Sequence, residues 1–123
     1  MKNTVISTDI NDYVVRKAQK EWQPLVEKGI HYTGISVISL HYDQQKERST
    51  TILLRFEPGA SYPYHNHPAG EEVYVLSGEA IFENVVLSEG DYLYTPPGFK
   101  HAVTTTTGCT LLFVVPEEVE ILV

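Results

Sequence analysis

Cysteine is nearly missing from this chain. Cys109 stands alone, so no internal disulfide can form and nothing points to an oxidising compartment. Basic residues are also few: nine Lys and Arg against sixteen Asp and Glu leave a net charge of −7. The basic residues occur only as scattered pairs such as Arg16-Lys17. Without a basic stripe there is no electrostatic footprint for a phosphate backbone, so neither nucleic acid nor an anionic membrane surface is expected as a partner. Long apolar runs are lacking too. The longest, Leu111 to Val115, is far below the roughly 20 residues that cross a bilayer. The opening "MKNTVISTDINDY" has no apolar stretch of the kind a secretory signal needs. The expectation is a cytoplasmic protein, and 123 residues without a linker rich in Pro, Gly or Ser predict one domain with one core.

Strand signals dominate what is present. In Gly34 to Tyr42, Ile38, Leu40 and Tyr42 share one parity, and Ser39 and His41 take the other. After the polar turn "DQQKER", the run "STTILLRFEPG" resumes β-branched and apolar residues until Pro58-Gly59. A short strand is expected over Val73 to Leu76, closed by Ser77-Gly78, then a hairpin over Ala80 to Leu87 turning near Glu83-Asn84. Asp91 to Thr95 is a further strand, cut by Pro96-Pro97-Gly98. His101 to Thr105 and Thr110 to Val115 read as a last pair turning at Thr107-Gly108. Many short strands with Gly/Pro turns predict an all-β sandwich or barrel. The N-terminal part holds either a turn of helix around Arg16 to Glu21 or short strands flanking one.

The chemistry concentrates in "HNHPAGEEVYVLSG", His65 to Gly78. His65 and His67 share a parity, as do Val73 and Val75, so both imidazoles can face an apolar interior. A buried group of imidazoles and a carboxylate needs partners, and a metal ion supplies one. Pro97-Gly98 fits a type II turn, proline presetting φ and glycine taking φ > 0, which aims the segment beginning at His101 back into the fold.

Two stretches carry a family resemblance. Gly59, five residues, His65, one, His67, three, Glu71, six, Gly78 is the first; Gly90, five residues, Pro96, one, Gly98, two, His101 is the second. Across both, the sequence resembles the cupin superfamily. The resemblance implies an all-β jelly-roll β-barrel with a short N-terminal extension: residues 1–30 as extension, 31–116 as barrel core and 117–123 as tail. It also implies a metal held by His65, His67, Glu71 and His101. Glu71 has the parity of the histidines and the family spacing to Gly78; Glu72 has neither and is read as rim or second-layer. Three imidazoles and a carboxylate suit iron or zinc, with nickel, manganese or copper as further candidates, and suit calcium poorly. Where the family often has asparagine four residues after its last histidine, Thr105 stands here, so no role is borrowed from that asparagine.

The runs "HPAGEEVYVLSG", "PPGFKHA" and "GCTLLFVV" further resemble the cupin-like domains of zinc-dependent anti-sigma factors and small cupin dioxygenases. That resemblance implies a metal-dependent oxygenase acting on a small carbonyl or enol compound, with Glu71 as general base. The alternative it leaves is a non-catalytic zinc-binding sensor or regulatory small-molecule-binding module. A homodimer is expected. The remaining candidates have plainer readings: His31 and His41 face solvent, Cys109 is a small buried hydrophobe, and Tyr62, Tyr64 and Phe99 border the ligand-bearing segments. The tail "PEEVEILV" adds an edge strand or pairs with a second subunit.

Overall fold

The computed structural model describes residues 5–122, and its architecture is nearly all β. Ten strands follow in chain order: β1 (Gln23–Glu27), β2 (Ile30–Asp43), β3 (Arg48–Phe56), β4 (Ser61–Asn66), β5 (Glu71–Phe82), β6 (Val85–Ser88), β7 (Tyr92–Thr95), β8 (Lys100–Thr104), β9 (Cys109–Val114) and β10 (Glu120–Ile121). Two 3-10 turns, Ile10–Tyr13 and Lys17–Gln19, precede them. The strands are antiparallel and run β1-β2-β3-β9-β5-β8-β4-β10, with β6 and β7 also pairing β5. The sheet curls into the jelly-roll barrel that the resemblance implied. Among the described residues, no helix is long and apolar enough to cross a membrane.

The interior follows from period-2 alternation. In β9, Cys109, Leu111 and Phe113 are buried while their neighbours are half-buried. Val73 and Val75 of β5, Leu54 and Phe56 of β3, Ile35 of β2 and Val103 of β8 complete that core with them. Each such side chain contributes about 1.5–3 kcal/mol when fully buried. β2 does not keep one face throughout. Its register shifts on both sides of His41, Tyr42 is exposed, and Ile38 is buried against the outer side, where its ladder partner Leu53 also lies outside the main core. His31 and His41 are exposed, as expected.

Two elements differ from the sequence reading. The strand expected to close at Ser77-Gly78 continues to Phe82, bending through a register shift between Val75 and Ser77. Gly78 takes φ +76 there, and a Cβ on it would lie 2.2 Å from the Gly108 carbonyl oxygen. Glycine is what lets the two backbones touch, so it marks a corner and not an end. Before the corner β5 pairs β9 and β7; after it, β6 and β8. The other difference is that β8 and β9 do not form a hairpin. β8 lies on β4 and β5, and β9 between β3 and β5, so the chain crosses at residues 105–108 from one half of the barrel to the other. Thr105 secures that crossing: its hydroxyl donates to the Glu79 carbonyl (2.6 Å) and accepts from the Gly108 N–H (2.9 Å). The Glu83-Asn84 hairpin is as read, with both residues at positive φ (48° and 66°), the requirement of a type I′ turn.

At the N-terminus, a turn and then a strand replace the open alternatives. β1 pairs β2, and Trp22 just before it lies under the Arg55 guanidinium, 4.5 Å from ring centre, with Lys17 at 5.8 Å. The tail forms β10, which pairs β4 as an edge strand (Glu120 with Asn66, Ile121 with His65).

Candidate metal centre

Three strands bring the four expected ligands together. His65 lies in β4, His67 one residue past its end, Glu71 begins β5, and His101 lies in β8 directly across the ladder from His65. The two motifs are joined through one atom: the His67 carbonyl accepts from Gly70 N–H (3.1 Å) and from Gly98 N–H (3.0 Å). Gly98 has φ +89 and Phe99 N–H returns to the Pro96 carbonyl (3.1 Å), so the Pro97-Gly98 turn is type II, as the sequence predicted. Gly70 (φ +81) has no room for a side chain, since a Cβ would stand 2.9 Å from the Thr95 carbonyl oxygen.

All four side chains are buried, none more than 3% exposed. Nε2 of His67 lies 2.8 Å from Nε2 of His65 and 2.9 Å from Nε2 of His101. The Glu71 carboxylate reaches His67 Nε2 at 3.2 Å and His101 Nε2 at 3.3 Å. Burial, partly offset by the Pro63 carbonyl, pushes His65 down to about 4, with His101 lowering it further. Burial and then the His65 and His101 rings push His67 down to about 3. Burial raises Glu71 above the ordinary carboxylate value, with the adjacent His101 ring opposing it. The two histidines therefore stay neutral and keep lone pairs to offer.

These residues fit a divalent transition metal. His65 Nδ1 sits 2.6 Å from the Pro63 carbonyl, so it carries the proton and Nε2 presents a lone pair to the cluster. Three Nε2 atoms converging this closely cannot all satisfy one another, and Glu71 Oε1 is buried without a hydrogen-bond partner. One ion among the four answers both needs. Donors about 2.05 Å from a common ion stand about 2.9 Å apart at right angles and about 3.3 Å apart in a tetrahedron. The two spacings from His67 Nε2 to its fellow imidazoles match the first value and the Glu71 spacings of 3.2 and 3.3 Å the second, so the donor set suits either shell.

The other candidates sort cleanly. Glu72 is exposed on the outer face, where its carboxylate accepts from Tyr92 (2.6 Å) away from the cluster. Tyr64 and Phe99 are exposed, whereas Tyr62 is buried with its ring edge-on to His65, 4.9 Å between centroids. An interior cavity of about 60 Å³ reaches His65 and Glu71 through apolar walls that include Leu54, Phe56, Phe113 and Val115. Its polar lining includes Glu27 and Arg48, which the sequence reading did not single out. Glu27 accepts the Tyr62 hydroxyl hydrogen bond (2.5 Å), and Arg48 donates to the Val115 carbonyl (2.5 Å). No motif marks either; only barrel closure brings β1 and β3 to the cavity.

Comparison with known proteins agrees with this fold. The family profile described as "ChrR Cupin-like domain" matches residues 11–119. DNA damage-repair/toleration protein DRT102 of Arabidopsis thaliana is 34% identical over 64 residues, 47% of this chain and 21% of that protein. Dimethylsulfoniopropionate lyase DddQ of Ruegeria pomeroyi is 40% identical over 52 residues, 38% of this chain and 26% of that protein. The chain thus spans only about a quarter of the length of the curated relatives it matches. Among solved structures, an acetylacetone dioxygenase from Acinetobacter johnsonii superposes with a TM-score of 0.77 at 14% identity, covering 100% of this chain and 82% of that one. An RmlC-like cupin from Ralstonia eutropha gives 0.75 at 17% identity, covering 89% and 71%. With this fold, these side chains and that match over most of its length, the chain belongs to the ChrR cupin-like family.

Proposed function

We propose that this protein is a metal-dependent enzyme, an oxygenase acting on a small carbonyl or enol compound, with His65, His67, Glu71 and His101 as metal ligands. The observation that carries the reading is the cavity: it reaches His65 and Glu71, so a small molecule inside the barrel would lie against the cluster. A divalent ion there would supply Lewis acidity and a template for substrate oxygens, and iron would add reactivity toward O₂.

The chain's own groups do the rest. Apolar walls exclude water from the reacting end. Glu71, on loosening from the ion, would accept a proton from an enolisable substrate. The names of the relatives support an enzyme: one is a lyase, and the structural neighbours include an acetylacetone dioxygenase. The test is O₂ uptake by iron-loaded protein across a panel of small diketones and hydroxy ketones. Uptake no greater than that of His65→Ala would end this reading.

One observation favours a non-catalytic zinc sensor: four protein donors suffice to close a tetrahedral zinc. X-ray absorption of zinc-loaded protein separates the two, a four-coordinate shell of protein atoms supporting the sensor and added light oxygen donors supporting the enzyme. We also propose a homodimer, in which a second copy covers the exposed outer aromatics Tyr74, Tyr92 and Tyr94. A monomer by solution scattering at micromolar concentration would exclude it.

A further inference from the structure

The cavity's polar wall constrains its occupant. Tyr62 is 7% exposed and its hydroxyl proton is committed to Glu27 Oε1 at 2.5 Å. Both side chains line the cavity that reaches His65 and Glu71. Burial, and then the Glu27 carboxylate, hold the Tyr62 phenol well above its ordinary value, so the phenol keeps its proton. A phenol that donates to a carboxylate has only lone pairs left, and a carboxylate has only acceptors. This part of the wall therefore asks for a donor. Arg48 also lines the cavity and offers only donors, one of them given to the Val115 carbonyl, so the demand for a donor belongs to the Tyr62–Glu27 part of the wall. Glu118 also lines the cavity, but it is largely exposed and paired with Lys28 at 3.4 Å.

Size narrows the choice. A cavity of about 60 Å³ has space for about four to six water molecules. A molecule of about six non-hydrogen atoms fills it, with room for an apolar methyl or two against Phe56, Phe113 and Val115.

Resting on the enzyme reading above, we propose that Tyr62 and Glu27 form a specificity-determining pair that selects a small hydroxy ketone or enol over the corresponding dicarbonyl. The ligand's hydroxyl donates to the Tyr62 oxygen, while its carbonyl is directed to the His65 and Glu71 end. A dicarbonyl of the same shape sets its second oxygen against lone pairs and leaves them unpaired. Glu27 acts through Tyr62 and is a positioning residue.

The test compares two probes that differ by one hydroxyl, 3-hydroxybutan-2-one and butane-2,3-dione, titrated into zinc-loaded protein by calorimetry. Zinc is redox-inert, so affinity is read without turnover. The hydroxy ketone is expected to bind about tenfold or more tightly, the size of one hydrogen bond to a charged pair. In Tyr62→Phe the preference falls to about onefold. In Glu27→Gln the amide can donate to the phenol, which frees the Tyr62 proton for a carbonyl, so the preference shrinks or reverses while zinc stays at one per chain. A merely structural role for Glu27 would weaken both probes together and leave their ratio fixed. Equal or tighter binding of the dione by the unaltered protein, or an unchanged ratio in Glu27→Gln, overturns the proposal and leaves the enzyme reading standing. If neither probe binds the zinc-loaded protein, both fall.

Discussion

His65 and His101 are direct partners across the β4–β8 ladder, so their side chains leave the sheet on the same face. The 35 residues between them in sequence collapse to adjacent strands, and the bay between them is completed by His67 and Glu71. The cluster is thus built into the sheet's register.

If the proposed ion sits there, each imidazole should be necessary. His101→Ala should lower zinc affinity at least a hundredfold and remove the rise in Tm that zinc gives the unaltered protein. Isothermal titration at neutral pH, with metal content by elemental analysis, checks both the loss and the stoichiometry of one ion per chain. The metal-free variant should fold, because removing a buried imidazole leaves fewer polar groups without partners.

Acid should destabilise the metal-free protein. His65 and His67 are held down to about 4 and about 3, below the ordinary 6.5. Below pH 6.5 the unfolded chain takes up protons that the folded one refuses. Their contribution is therefore complete above 6.5 and lost as pH falls toward 4 and then 3, at up to about 1.4 kcal/mol per pH unit for each ring. Glu71 works the other way: raised above 4.5, it favours the folded state at low pH and that advantage goes as pH rises. Glu71→Gln should steepen the net fall and, at neutral pH, stabilise the metal-free protein by about 1–2 kcal/mol while weakening metal binding. Urea midpoints from pH 7.5 to 4 read both effects; a flat profile would contradict the sign.

Thr105 should matter for stability and not for the metal. Thr105→Ala removes the bond to the Glu79 carbonyl and strands the Gly108 N–H, a loss of about 1–3 kcal/mol in denaturant unfolding. Zinc affinity should change less than twofold. A parallel loss of affinity would mean that the crossing it secures also positions His101.

Two glycines with similar φ should respond very differently to alanine. Gly78→Ala meets the Gly108 backbone and should cost about 3 kcal/mol or more, whereas Gly59→Ala, with φ +83 and nothing within 4 Å, should cost only about 1 kcal/mol. The comparison isolates close approach from backbone conformation, and equal costs would refute the account of the β5 corner.

The cluster was legible because its signals are local: two histidines of one parity, a carboxylate at a fixed step, a Pro-Gly turn aiming the third imidazole. The hairpin at Glu83-Asn84 was legible for the same reason. Gly78 was misread because a glycine that ends a strand and one that lets a strand bend against another backbone look alike until the second backbone is present. The last pair was misread because turn residues at Thr107-Gly108 suit a crossing as well as a hairpin, and the Thr105 hydroxyl decides between them. Glu27 and Arg48 left no trace, since their proximity to Tyr62 and Val115 depends on 35 and 67 intervening steps of chain.

The short C-terminal strand clamps β4 from outside, Ile121 opposite His65 and Leu122 N–H bonded to the Tyr64 carbonyl (3.0 Å). A slip of one residue along β4 would swing His65 outward. Clipping residues 117–123 with a protease would strip this splint, so the ion should exchange faster although every one of its donors is still in place.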